Sequence, residues 1–94
     1  MRAYELMTIF RPAMAETEVR NEVATIEKAL AAGGAEIKKI DFWGKRRFAY
    51  EIEHLNEGYY AVIHFAAEAG AVDNVDRALS LSDNVLRHKF IRPE

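Results

Sequence analysis

Two hydrophobic periods alternate along the chain. From Arg2 to Phe10 the pattern has a period of two: Tyr4, Leu6, Thr8 and Phe10 share one face of a strand, and Ala3, Glu5, Met7 and Ile9 the other. Pro12 ends that strand, because proline cannot donate to a ladder. From 16 to 32 the period becomes helical. Val19, Val23, Ile26 and Leu30 form one stripe opposite Glu16, Glu18, Arg20, Glu22, Glu27 and Lys28, and Gly33-Gly34 stops the helix. A long second strand is predicted over 35–53. It carries Ile37, Ile40, Phe42, Phe48, Tyr50 and Ile52, with a bulge or bend at Gly44. Leu55-Asn56-Glu57-Gly58 reads as a turn, and 59–67 as a third strand with Tyr59, Ala61, Ile63 and Phe65 opposite Tyr60, Val62 and His64. A short helix over 71–81 turns Val72, Val75 and Leu79 inward. Asp83-Asn84 makes a turn, and a fourth strand covers 85–92.

The resulting order, β-α-β-β-α-β, predicts an α+β fold of the ferredoxin-like split βαβ kind, in one domain over 1–94. Right-handed crossovers place the first and third strands in the centre of a four-stranded antiparallel sheet, with both helices on one face. The other face then stays open. It would bear Met7, Ile9, Tyr60 and Val62, an apolar patch suited to a protein partner. Phe48 and Tyr50 are expected to point into the core.

Composition narrows the chemistry. The absence of cysteine excludes disulfides, thiolate metal sites and cysteine nucleophiles. No apolar run approaches a membrane span and the first residues lack a signal-peptide pattern, so a cytoplasmic protein is expected. Ser80 and Ser82 sit in no nucleophile elbow. His54, His64 and His88 fall on a turn, an outward position and an inward position, which does not make a shared metal site. Asp73 and Asp76 suit a solvated helix face. Acylphosphatases share this topology and hold phosphate with an arginine after the first strand. Arg11 stands there, but Pro12 removes an amide and no glycine cradle surrounds it. No enzyme activity, cofactor or small-molecule substrate is therefore expected.

Binding is the better reading, and charge constrains it. A net charge of −2 has the wrong sign for a nucleic-acid binder, so any RNA contact needs a local basic patch or a basic partner. Lys45-Arg46-Arg47 supplies such a patch beside Trp43-Gly44. Arg87, Lys89 and Arg92 on the fourth strand and Arg2 on the first add to it. Arginine dominates both sets, as bidentate phosphate contact favours. Gly58–Phe65 is only a loose counterpart of the aromatic third strand of RNA recognition motifs: Ala61 stands where an aromatic is expected, and the first strand lacks the matching motif.

Four segments in order carry a stronger resemblance: Met1-Arg2-Ala3-Tyr4-Glu5, Gly44-Lys45-Arg46-Arg47-Phe48-Ala49-Tyr50-Glu51-Ile52, Gly58-Tyr59-Tyr60, and Asp83-Asn84-Val85-Leu86-Arg87. Together they resemble the bacterial small-subunit ribosomal protein S-six family over essentially the whole chain, with Phe48 in place of the usual leucine. The resemblance implies a structural role in the small ribosomal subunit. It also implies pairing with the small basic ribosomal protein S-eighteen, and binding of the pair to the central domain of small-subunit ribosomal RNA. A basic partner would answer the charge problem. The competing reading is a small-molecule-binding or regulatory ferredoxin-like module that oligomerises through its sheet.

Overall fold

A computed structural model describes residues 1–92. Its elements run β1 (Arg2–Phe10), α1 (Glu16–Ala32), β2 (Glu36–Ile52), β3 (Leu55–Ala67), a 3-10 turn (Ala69–Val72), α2 (Asp73–Leu81) and β4 (Val85–Ile91). The four strands form one antiparallel sheet in the order β2-β3-β1-β4, which is the expected ferredoxin-like arrangement with β1 and β3 central.

One face of the sheet meets both helices. Tyr4, Leu6, Phe10, Tyr59, Ala61, Ile63 and Phe65 pack there against Val19, Val23, Ile26 and Leu30 of α1 and Val75 and Leu79 of α2. The stripe forecast for α1 is thus the buried one; of the second stripe Val75 and Leu79 are buried, while Val72 lies part-buried in the 3-10 turn ahead of α2. Thr8 is fully buried among them, and its hydroxyl donates to the Ala61 carbonyl at 3.1 Å, so this polar group keeps a partner away from water. At the start of α1 the Glu18 carboxylate accepts from the Ala15 amide at 2.8 Å, which satisfies a donor at the helix entrance.

The β2–β3 hairpin departs from expectation. The turn lies at Glu53-His54, not at Leu55–Gly58, and β3 begins at Leu55, directly opposite Ile52. Both loop residues have positive φ, +50° and +64°, as a two-residue turn of the favoured hairpin hand requires. Neither is the glycine or asparagine that normally marks such a turn, so the sequence hides it. Arg11 braces the loop through an ion pair to Glu53 at 3.3 Å, while its Nε donates to the Asp83 carbonyl. These contacts occupy the guanidinium that a phosphate cradle would need. His54→Gly should relieve the left-handed backbone, raising stability by about 0.5–1 kcal/mol and Tm by roughly 4 °C. A thermal melt showing a lowered Tm would count against this account of the turn.

β2 is interrupted three times, the last between Arg47 and Ile52 near the hairpin. Its register against β3 shifts between Ile37 and Lys39 and again between Phe42 and Gly44. Each shift exchanges the faces of the residues that follow. Ile37, Ile40 and Phe42 can all lie on the helix side although their spacing is not a regular period of two. Phe42 is capped there by Arg20, whose guanidinium carbon sits 4.1 Å from the ring centroid.

Candidate functional site

The sheet face without helices is organised in rows set by strand register. Arg87, Ile9, Tyr60 and Gly44 are neighbours across β4, β1, β3 and β2; Lys89, Met7, Val62 and Asp41 form the next row; Ile91, Glu5, His64 and Lys39 the third. The first two rows carry Arg87 and Lys89 on one edge strand and Trp43 beside Gly44 on the other, and Arg46 follows one step further along, opposite Gly58.

The bulge at Gly44 decides what β2 contributes. Gly44 takes φ +82°, a left-handed conformation that glycine adopts cheaply, and Trp43-Gly44 together oppose Tyr60. Beyond it Lys45 pairs with Tyr59 and Arg46 with Gly58. Lys45 therefore joins Tyr59 on the helix side, its Nζ 5.2 Å from that ring's centroid, while Arg46 and Phe48 turn to the open face. Phe48 is thus not a core residue: its ring lies 5.9 Å from that of Tyr60, tilted at 59°. Tyr50 does not enter the core either; it stands 68% exposed on the projecting hairpin.

Gly58 is the seat for Phe48. A Cβ on Gly58 would stand 2.9 Å from Phe48 Cζ, 3.0 Å from Ile9 Cγ2 and 2.7 Å from the Phe10 carbonyl oxygen. The last neighbour is backbone and cannot swing aside. Gly58→Ala should therefore destabilise the protein by about 1–3 kcal/mol, as overpacked sites do. A urea midpoint equal to that of the parent chain would contradict the seating.

The expected apolar patch needs correction. Ile9 and Val62 do lie on the open face, but they are only 3% and 8% exposed, so they underlie that face and offer little surface to a partner. Long neighbours in the same rows and Phe48 cover this stretch. Met7 and Tyr60 are half-buried, and Trp43, 49% exposed, is the largest apolar group offered to solvent on this side. Trp43 and Tyr60 stack with ring planes 9° apart and centroids 5.9 Å apart, an offset arrangement. Trp43, Tyr60, Arg46 and Arg47 line a hollow of about 520 Å³.

Charge on this face is divided. Four cations elsewhere are engaged: Arg11 with Glu53, Arg20 with Glu16, Lys38 with Glu36 and Lys39 with Asp41. Among the described residues Arg46, Arg47, Arg87 and Lys89 make no ion pair within 4.0 Å, even though Glu57 is the strand partner of Arg47. The carboxylates lie at the other end, where His64 bridges Asp41 at 3.0 Å and Glu5 at 3.6 Å. The hydrogen bond from His64, with Lys39 alongside, holds the Asp41 carboxyl below its ordinary value against an opposing contribution from desolvation. His88 faces the helices and contacts Asp76 at 2.7 Å, so His64 and His88 sit on opposite sides of the sheet as expected. No trio of metal-ligating side chains is assembled among the described residues.

The predicted cations therefore do not form one cluster. Arg46, Arg87 and Lys89 share the end of the open face near Tyr60, and Arg47, opposite Glu57 on the alternate side of β2, reaches the same hollow. Lys45 lies on the helix side. Arg2, opposite Ala67, is seven residues along β1 from Ile9, about 24 Å away, and Arg92 follows the same remote end of β4. Sequence reasoning missed Trp43, Gly58 and Phe48 as parts of this surface. The available signal was the Trp-Gly pair at a predicted bulge, since bulges re-aim the side chains beside them.

Comparison with known proteins matches this architecture to one family. The family model described as Ribosomal protein S6 matches residues 3–92. The small ribosomal subunit protein bS6 of Salinispora tropica is 44% identical over 94 residues, covering 100% of this chain and 98% of that protein. The crystal structure of 30S ribosomal protein S6 from Thermotoga maritima superposes with a TM-score of 0.94 at 31% identity, covering 98% of this chain and 87% of that one. The C-terminal domain of MgtC from Mycobacterium tuberculosis shares the fold at 18% identity and a TM-score of 0.64, a likeness of architecture alone. The bS6 and S6 relatives are ribosomal structural proteins, not enzymes. The chain belongs to the ribosomal protein S6 family of the small ribosomal subunit.

Proposed function

We propose that this chain binds the central domain of small-subunit ribosomal RNA together with ribosomal protein S-eighteen, and that the basic end of its open sheet face meets the RNA. The observation that carries the reading is the gathering of Arg46, Arg87 and Lys89, none of them in an ion pair among the described residues, at one end of the open face of an otherwise acidic chain, with Arg47 beside them. Leaving cations unpaired is costly in self-repulsion and is useful when an anion arrives. Arginines on opposite edge strands are three strand spacings apart, about 14 Å, so one rigid sheet can hold separate phosphates. Lys45 lies next to the patch and contributes long-range attraction, whereas Arg2 and Arg92 would reach RNA only if it continues to the far end. Met7 and Tyr60, half-exposed over Ile9 and Val62, form the apolar part of the face and suit the protein partner.

A net charge of −2 works against binding RNA alone. A small basic partner removes that penalty and adds its own phosphate contacts. The setting is the cytoplasmic ribosome, and no described helix is long and apolar enough to cross a membrane. Co-sedimentation tests the assignment. The tagged chain should travel with small subunits through a sucrose gradient and stay with them at moderate salt; recovery only at the top of the gradient would remove the ribosomal role.

A further inference from the structure

The helix layer, on the side of the sheet away from the open face, is not closed. α1 and α2 run antiparallel and are bridged at the two ends of their approach. At one end a Cβ on Gly33 would stand 3.5 Å from the Ala71 carbonyl oxygen. At the other the Asn84 side-chain amide donates to the Glu22 carboxylate at 2.8 Å. Between Glu22 and Gly33 the first helix advances about 16 Å. Over that length Ala29 and Ala32 of α1 and Ala78 of α2 are too short to meet, which leaves a groove of about 370 Å³. Its floor is the core itself: Ile26, Val75, Leu79 and Val85. We propose that this groove docks an extended basic segment of another protein, which lays apolar side chains on the floor and sets a lysine or arginine against Glu22. The inference stands apart from the RNA-binding reading, since the two surfaces lie on opposite sides of the sheet.

Charge selects the occupant. Glu22 is half-buried in the groove wall, and among the described residues it makes no ion pair within 4.0 Å. No lysine or arginine lines the groove among the described residues. The C-terminus of α2 points to this same end, and its last turn carries no basic residue, so its carbonyls add negative potential. A lone carboxylate and a helix C-terminus beside an apolar floor favour a cation with apolar neighbours. Leu81 is exposed and shares a helix face with Asn74 and Ala78, so it extends the apolar rim there. A second copy of the chain is a poorer fit, because it would bring the same carboxylate and the same helix end against their like. Size favours an extended segment. A volume of 370 Å³ is near the lower limit of ligand sites, about 300–1,000 Å³, and seats a few side chains. A whole helix, about 10 Å across, would not enter. In an extended chain alternate residues share one face roughly 7 Å apart, so two or three apolar side chains span the groove.

The test follows backbone amide shifts of the isotope-labelled full chain while a short peptide of alternating lysine and leucine is added. Two matched peptides alternate glutamate with leucine and lysine with serine, and n-hexylammonium offers a cation and an alkyl group without a chain. The lysine–leucine peptide should shift the amides of Thr25, Ala29, Ala32 and Ala78 saturably. The other three probes should bind there about tenfold more weakly or not at all. Glu22→Gln should weaken the lysine–leucine peptide about fivefold. Ala78→Leu fills the groove and should abolish the shifts with no fall in Tm; if the Tm does fall, Glu22→Gln decides alone. Asn84→Ala removes the hydrogen bond to Glu22 but keeps the charge, so it should bind as the parent chain does. A loss from Asn84→Ala equal to that from Glu22→Gln would make the carboxylate a structural group and overturn the proposal. Equal binding of the glutamate–leucine peptide would reduce the groove to an unselective apolar cleft, and equal binding of n-hexylammonium would give it to small cations. Either result overturns the proposal. Shifts confined to the open sheet face, or a chain that sediments as a dimer through these helices, would also overturn it.

Discussion

Truncating Phe65 to alanine is expected to lower stability by about 3–5 kcal/mol, the largest loss of any single substitution considered. Phe65 is 1% exposed on β3. Its ring stacks on Tyr4 at 5.5 Å and meets Phe90 edge-on at 6.4 Å, so it joins three of the four strands beneath the helices. Its removal both withdraws apolar surface and leaves a void that β1, β3 and β4 cannot close without breaking ladder register. A domain of this size has about 5–14 kcal/mol in total, so the loss takes from about a fifth to all of it. In urea the midpoint should fall by roughly 2 M with the slope unchanged. A midpoint shift worth less than about 1 kcal/mol would mean that the core is not packed as described.

The second large effect concerns binding. The double substitution Arg46→Ala and Arg87→Ala should cost about 2–3 kcal/mol of affinity for ribosomal RNA in the presence of S-eighteen, roughly a 100-fold loss. The two arginines lie on opposite edge strands, are exposed, and make no described ion pair, so the fold should be unaffected. The slope of affinity against salt should become shallower by about 1–2 because two phosphate contacts disappear. Arg2→Ala serves as the control: it removes the same charge at the far end of β1 and should have a much smaller effect. Equal losses from Arg2→Ala and from the double variant would show that total charge matters and that the open face has no particular role.

Some of this was plain in the sequence and some was concealed. The two helices, the central strands and the inward stripe from Val19 to Leu30 follow from period alone, because helices here obey a regular 3.6 spacing. The alternation of β1 was equally clear, and every residue assigned to its helix face is buried. β2 was the failure, because each bulge inverts the alternation, so that Phe48 reads as core after an uninterrupted count and as open-face after the Gly44 bulge is included. The hairpin turn failed for a different reason: Glu53 and His54 take positive φ without being glycine or asparagine, while Gly58, which looks like a turn residue, is buried under Phe48. The basic residues were found but their grouping was not, since sequence proximity put Lys45 with Arg46 and only register shows Arg87 and Lys89 on the same face as Arg46. The aromatic hollow depends on both corrections together.

The most direct test of the central claim is an equilibrium titration of the full chain against the central domain of small-subunit ribosomal RNA, with and without S-eighteen, at two salt concentrations. The account predicts weak binding by the isolated chain and tight, strongly salt-dependent binding once the partner is present. Equal affinity in both conditions would contradict it.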